Sequence, residues 1–147
     1  MALTANANPM PRPDPAFPVI ERIYKAAAAD DFYRGAVLCA TAGKANSAGA
    51  NDDQVIGFCT RRSIATAAND PVYIAITGVW WVAAAGMADA DLGTTAHPLV
   101  TSDNPADIIA QGAASGDPRA LGTIVHVDVT ATSGWVDINN RVAATNS

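Results

Sequence analysis

Hydrophobic and polar positions alternate along several short stretches of the chain, instead of repeating at helical spacing. The clearest stretch is V-Y-I-A-I-T at 72–77, where every second residue is a large aliphatic one, as in a β-strand with one buried face. Gly78 follows and predicts a turn, because glycine adopts positive φ without steric cost. Val79–Val82, V-W-W-V, then predicts a returning strand. We expect the two strands to form a hairpin at the centre of the fold.

The returning strand carries two adjacent tryptophans, Trp80 and Trp81, whose side chains must point to opposite faces. We expect Trp81 to lie in the core and Trp80 to face outward, toward a neighbouring subunit.

Comparable patterns predict further strands over 36–40, 55–59, 121–129 and 135–138, and another around 98–100. Gly57 within the second of these predicts a bulge or a close approach of two backbones. Two stretches are expected to be irregular connections, at 45–54 and 61–70. Residues 19–29 fit a helix or a strand. Short helices are expected over 83–91 and 106–111, the second one capped by Asn104.

In the strand over 121–129, alternation predicts that the odd-numbered valines share one face. The opposite face would carry Ile124, His126 and Asp128.

About seven short strands separated by turn signals favour a mainly β fold, a small antiparallel β-barrel or sandwich with one or two short helices. A chain of 147 residues is typical of one domain. We expect residues 1–18 to form an extended N-terminal arm and residues 19–147 a single β-rich domain.

The arm holds five of the nine prolines in the chain, which disfavours helix and favours an extended backbone. It also carries apolar side chains that a purely solvated tail would not need. Two interpretations remain open, a disordered tail and an arm that docks on a neighbouring subunit. For the second, the contact candidates are Pro9, Met10, Pro11, Pro13, Pro15 and Phe17.

Charge excludes one large class of function. The formal net charge is −5, and Arg61-Arg62 is the only pair of adjacent basic residues, so nucleic-acid binding is not expected. No apolar stretch approaches the roughly 20 residues that span a bilayer, so no membrane partner is expected. The N-terminus also lacks the features of a signal peptide, which favours synthesis in a cytoplasm. Arg61 and Arg62 are expected to pair with acidic groups across a subunit interface or to be solvated.

Candidate catalytic chemistry is sparse, and we expect no enzyme activity, cofactor or metal. Cys39 and Cys59 lie in separate predicted strands and are expected to be buried free thiols; a nucleophilic cysteine would need a histidine partner and a lowered pKa. His126 and Asp128 have a spacing that could contribute to a metal site, but such a site needs more ligands. A simple polar pair is the expected alternative.

Several short segments that combine glycine with an aliphatic strand occur in an order that resembles the small head-decoration, or capsid cement, proteins of tailed bacteriophages. The resemblance covers about residues 32–138. The segments are F-Y-R-G-A-V-L at 32–38, G-K at 43–44, V-I-G-F at 55–58, V-Y-I-A-I-T-G-V-W at 72–80, D-L-G-T-T at 91–95 and L-G-T-I-V at 121–125.

This resemblance implies a β-tulip or barrel-like fold and a structural function. Such proteins bind the outer surface of the capsid as homotrimers and stabilise the shell, so the expected partners are the major capsid protein and further copies of this chain. The expected location is the virion surface, after assembly in the host cytoplasm. The alternative is a carbohydrate- or receptor-binding β-module in which Trp80, Trp81 and Tyr33 form a stacking platform.

Overall fold

The described part of the chain is built from antiparallel β-strands, which confirms the mainly β fold expected from the sequence. A computed structural model describes residues 3–7, 10–47, 54–84, 87–97, 102–110, 120–128 and 133–139. Two single-turn 3-10 helices, Asp89–Asp91 and Pro105–Asp107, interrupt the strands. The strands, numbered in chain order, are β1 (Arg12–Pro13), β2 (Glu21–Lys25), β3 (Asp30–Phe32), β4 (Val37–Thr41), β5 (Lys44–Ser47), β6 (Gln54–Cys59), β7 (Ser63–Ala65), β8 (Pro71–Ala75), β9 (Val79–Val82), β10 (Thr95–His97), β11 (Ile109–Ala110), β12 (Gly122–Val127) and β13 (Gly134–Asp137).

These strands form two main sheets and a small one. The six-stranded sheet has the order β1-β9-β13-β12-β10-β11, and the five-stranded sheet has the order β2-β8-β6-β4-β5. Strands β3 and β7 pair separately as a two-stranded sheet. The arm contributes β1, which forms an edge of the six-stranded sheet next to β9.

The expected central hairpin is wrong, although its two strands and its turn are present. Strand β8 belongs to the five-stranded sheet and β9 to the six-stranded sheet, so the chain crosses from one sheet to the other between them. Gly78 has φ of +113°, and an added Cβ would lie 3.0 Å from Nε1 of Trp80. Glycine at this position therefore allows the tight change of sheet.

The five-stranded sheet lies between two apolar clusters. Side chains of the five-stranded sheet that face the six-stranded sheet belong to the first cluster. There Val37, Val55, Phe58 and Ala75 pack with Trp80, Val82, Ile124 and Val136 of the six-stranded sheet and with Leu121, which directly precedes β12. Their neighbours along the same strands form the second cluster, which also includes Phe32 of β3 and Ala65 of β7. Because both faces of this sheet are covered, β6 is buried from Val55 to Cys59 without polar alternation.

The five-stranded sheet curls until its two edge strands meet. Ala26, directly after β2, forms an isolated parallel bridge with Ala45 of β5, and the amide of Ala27 donates to the carbonyl of Ala45 at 2.8 Å. One bridge does not make a ladder, so the described residues form two packed sheets rather than a closed barrel.

The structure decides between the two interpretations of residues 19–29 and corrects other local expectations. Residues 19–29 contain the strand β2 and no helix, while the expected connections contain β5 and β7. Asn104 does cap a helix, but the helix ends at Asp107 and Ile109 begins β11. The expected strand around 98–100 lies outside the described residues.

Candidate interaction surfaces

The N-terminal arm lies along its own domain. Hydrogen bonds hold it there, from the amide of Leu3 to Oδ1 of Asp103 at 2.8 Å and from the amide of Ala7 to the carbonyl of Arg34 at 3.0 Å. At Gly35, an added Cβ would lie 2.8 Å from Cβ of Ala7, so the absence of a side chain makes room for the arm. The described part of the arm is therefore held on its own domain, and docking of its exposed side chains on a neighbouring subunit stays a prediction.

The contact candidates in the arm have different environments. Pro11 is buried and Met10 is half-buried, and both contact Gly35. Pro13, Pro15 and Phe17 are exposed. Pro9 lies outside the described residues. The buried and half-buried members consequently hold the arm in place, and only the exposed members are available to a partner.

A different surface forms around Arg61. Its guanidinium lies 4.3 Å from the ring centroid of Tyr73 and 2.9 Å from Oε1 of Glu21. The Thr60 hydroxyl donates to the same carboxylate, and this bond, with the Arg61 guanidinium, lowers the pKa of Glu21. Ile23 is directly opposite Tyr73 in the β2–β8 ladder and is 66% exposed.

Arg62 makes the same kind of arrangement with residues in and next to the β3–β7 sheet. Its guanidinium lies 5.1 Å from the ring centroid of Tyr33 and donates two hydrogen bonds to Asp31, at 3.0 and 2.6 Å. This pairing lowers the pKa of Asp31. Ile64, opposite Asp31 in the β3–β7 ladder, is 64% exposed.

We call these two clusters, which are joined through the adjacent residues Arg61 and Arg62, the arginine–tyrosine patch: Glu21, Ile23, Asp31, Tyr33, Arg61, Arg62, Ile64 and Tyr73. Both arginines find their carboxylate partners within the chain, so neither needs an acidic group from a neighbouring subunit. The patch combines balanced charges, two aromatic rings and two exposed isoleucines.

The two adjacent tryptophans have the reverse of the expected orientation. Trp80 is 4% exposed, and its ring packs against Phe58 with centroids 5.3 Å apart. Its Nε1–H donates to the carbonyl of Thr77 at 3.0 Å. Trp80 is therefore a core residue and not a subunit contact, while Trp81 faces outward and is half-buried.

The outer face of the six-stranded sheet carries an aromatic row, defined as Arg12, Trp81, Trp135 and His126, each opposite the next across β1, β9, β13 and β12. Arg12 lies 4.5 Å from the ring centroid of Trp81. Residues opposite each other in antiparallel strands share a face, so this register places both indoles on one surface.

Asp128 contacts two members of this row, Trp81 and His126. Its carboxylate accepts hydrogen bonds from the Ser133 hydroxyl and from Nε1–H of Trp81, and both bonds lower the pKa of Asp128. The Nε2 atom of His126 lies 3.4 Å from Oδ1 of Asp128, so the polar pair expected from the sequence is present.

A bulge in β12 explains why His126 joins this row. The register shifts between Ile124 and His126, which leaves Val125 as an extra residue. Val125 and His126 are both exposed, while Val127 packs against the core. The strict alternation expected for this strand is therefore wrong beyond Ile124, because the inserted residue reverses the facing of each residue that follows.

A groove of about 450 Å³ opens beside the aromatic row. The arm supplies one wall after β1, and strands β9, β12 and β13 supply the rest, so docking of the arm completes the groove. Its walls include Asp14, Phe17, Val125, His126, Trp135 and Asp137.

The carbohydrate platform expected from three aromatic residues does not form. Trp80 lies in the core, Trp81 is stacked by Arg12, and Tyr33 belongs to the arginine–tyrosine patch. Trp135, which the sequence did not single out, is the indole that lines a groove. Its strand, β13, pairs with β9 and β12, and nothing in the sequence around Trp135 indicates these neighbours.

The described residues contain no group of three or more His, Cys, Asp or Glu side chains that could hold a metal ion. His97 lies in β10, and its side chain is outside what the structure describes. No helix in the described part of the chain is long and apolar enough to cross a membrane.

The two cysteines are buried and free, as expected. The Cys59 thiol donates to the carbonyl of Arg61 at 3.0 Å, and burial raises its pKa to about 11. A thiol with so high a pKa is poorly suited to nucleophilic catalysis at neutral pH.

Native Cys59 is expected to react with a disulfide reagent such as DTNB about a hundredfold more slowly at pH 8 than a free thiol of ordinary pKa. The reason is the small thiolate fraction, together with burial. A Cys39→Ser variant isolates the reaction of Cys59, and unfolding in guanidinium gives the rate for the exposed thiol. Equal rates in the native and unfolded states would contradict this assignment.

Comparison of the chain with protein-family models, curated proteins and solved structures gives no match.

Proposed function

We propose that this chain is a structural protein of a tailed-phage virion that binds the outer surface of the capsid and stabilises the shell. In this proposal it assembles as a homotrimer on the virion surface, after synthesis in the host cytoplasm, and its partners are the major capsid protein and its own copies. Support comes from the order of glycine and strand segments, from the two-sheet fold and from an exposed surface suited to protein contacts.

The observation that carries the proposal is the arginine–tyrosine patch, where exposed isoleucines flank two fixed arginine–tyrosine stacks. Arginine and tyrosine are enriched among residues that dominate binding energy at interfaces. Exposed Ile23 and Ile64 add apolar area whose burial favours association.

Two properties reduce the cost of burying this patch. Each arginine is already held by a ring and a carboxylate, so little side-chain freedom is lost on binding. The two positive charges are balanced by Glu21 and Asp31, so contact with a partner leaves no unpaired charge in the interface. Repetition of such a contact around a trimer would strengthen attachment through avidity.

The double variant Arg61→Ala/Arg62→Ala is expected to bind purified heads that lack this protein at least about tenfold more weakly than the natural chain. The stacks lost are surface features, so the fold should be retained and far-UV circular dichroism unchanged. Cosedimentation with heads, over a range of protein concentrations, measures the affinity.

Lys44→Ala is the control, since it removes a positive charge from the β4–β5 turn without changing any residue that defines the patch. It should bind heads as the natural chain does. A double variant that is folded and keeps full affinity would contradict the role of the patch, and a natural chain that binds no heads would contradict the proposed function.

The carbohydrate-binding alternative loses support because its three proposed platform residues lie in three different environments. We retain the structural function as the one that the exposed surfaces favour.

A further inference from the structure

We propose that the groove beside Trp135 binds the side chain of an arginine presented by a partner protein. This site is separate from the arginine–tyrosine patch, and it stands whether or not the partner is a capsid. One combination of groups recurs in this molecule and is incomplete in the groove.

Three times, the structure places an arginine over an aromatic ring with a carboxylate close by. Arg61 and Arg62 stack on tyrosines and pair with Glu21 and Asp31. Arg12 stacks on Trp81, whose indole N–H donates to Asp128. These pairs are favourable because the guanidinium is flat and cationic, and it can use the ring face and the carboxylate together.

The groove repeats the aromatic and acidic parts of this combination. Trp135 is the neighbour of Trp81 in the aromatic row, and Asp137 lies two residues further along β13 on the same face. Asp14 and Phe17 face the groove from the arm. Within the described residues, no lysine or arginine lines the groove. Its aromatic ring and carboxylates therefore lack the arginine that the other three sets contain.

Both carboxylates retain capacity for a ligand. Oδ1 of Asp14 accepts from the amide of Ala16 at 2.9 Å, and Oδ1 of Asp137 accepts from the amide and side chain of Asn139. No other hydrogen bond to either carboxylate is made within the part that the structure describes. His126 also lines the groove, and its Nε2 atom lies 3.4 Å from Oδ1 of Asp128.

These features select among ligand classes. Two carboxylates, with no lysine or arginine beside them among the described residues that line the groove, disfavour anions and attract a cation. Arginine suits the site better than lysine, because the planar guanidinium can stack on Trp135 while donating to carboxylates in its plane. Phe17 and Val125, each 46% exposed, offer apolar contact to the methylene stem. The volume of about 450 Å³ is ample for one side chain.

The test is a titration of the full-length protein with three blocked tripeptides, acetyl-Gly-Xaa-Gly-amide, where Xaa is arginine, lysine or citrulline. Citrulline has nearly the shape of arginine without its charge. Chemical shifts of the Trp135 indole N–H, measured by nitrogen–proton NMR, report on the groove. We expect the arginine peptide to bind in the millimolar range and the citrulline peptide about tenfold or more weakly. Binding should also weaken with added salt.

Variants locate the site. Asp137→Asn and Asp14→Asn should each weaken the arginine peptide several-fold, whereas Asp89→Asn, in an exposed 3-10 helix elsewhere, should leave it unchanged. Unchanged signals from Trp80, which lies in the core, would show that each variant is folded.

The following results would each overturn the proposal. Equal binding of arginine and citrulline peptides, or absence of binding, would exclude recognition of charge. Stronger binding of glucose than of the arginine peptide would make the groove a sugar site. Binding that emerges only in an Arg141→Ala variant would show that the tail of this chain, which follows Asp137 closely, is the occupant instead of a partner.

Discussion

Replacement of Trp80 with alanine is expected to lower the free energy of unfolding by about 3–5 kcal/mol, the range for removal of a large buried aromatic side chain. Trp80 is 4% exposed and fills the space between the two sheets against Phe58. Its indole N–H also bonds the carbonyl of Thr77, next to the point where the chain changes sheet. Since domains are stable by only about 5–15 kcal/mol, the variant should be marginally folded. Urea unfolding followed by far-UV circular dichroism measures the loss.

Trp81→Ala provides the matched comparison, because it removes the same side chain from the next position. Trp81 is half-buried on the outer face, where it is held by Arg12 and by a hydrogen bond to Asp128. Its removal should cost only about 1–2 kcal/mol. A larger loss for Trp81→Ala than for Trp80→Ala would contradict the orientation of this strand.

Substitution of Gly57 with alanine is expected to prevent stable folding or to cost more than about 3 kcal/mol. The added Cβ would overlap the carbonyl oxygen of Ala75 in the adjacent strand β8. Both groups belong to the backbone of the five-stranded sheet, so no side-chain rotation can relieve the overlap, and β6 must separate from β8. The yield of soluble protein and the thermal midpoint of any that is recovered measure the effect.

Gly43→Ala is the control for this substitution. Gly43 lies in the β4–β5 turn with φ of +80°, and an added Cβ would meet no atom within 4 Å. Its cost is limited to backbone strain of about 1–2 kcal/mol. Similar stability of the Gly57→Ala and Gly43→Ala proteins would show that the close approach of β6 and β8 is absent.

Several strands could be predicted from the local order of apolar residues and glycines alone. Alternation located β8, and the turn at Gly78 followed by an apolar stretch located β9. Gly57 in β6 predicted a bulge or a close backbone approach, and the structure contains the close approach. The antiparallel fold class followed from the number of short strands and turns. Burial of Cys39 and Cys59 also followed, from their apolar surroundings.

Properties that depend on distant partners were not predictable. Alternation requires Trp80 and Trp81 to face opposite ways, but which one is buried depends on where the five-stranded sheet packs. A turn at Gly78 is visible in the sequence, whereas its role in joining two sheets depends on the strands that pair with β8 and β9.

The candidate surfaces were harder to anticipate than the fold. Arg61 and Arg62 were singled out as a pair, but their partners Tyr73 and Tyr33 come from strands or turns far along the chain. Trp135 gained its place in a groove through the arm and through the bulge at Val125, which nothing in the local sequence marks.

The strand order of the six-stranded sheet has a consequence for behaviour at high concentration. Within the residues that the structure describes, its outermost strands, β1 and β11, are each two residues long, and β1 includes Pro13, which has no amide hydrogen to donate. An incoming chain therefore finds little template for adding a further strand on either side. We expect this sheet to resist fibril growth by edge-to-edge stacking, even where many copies accumulate together.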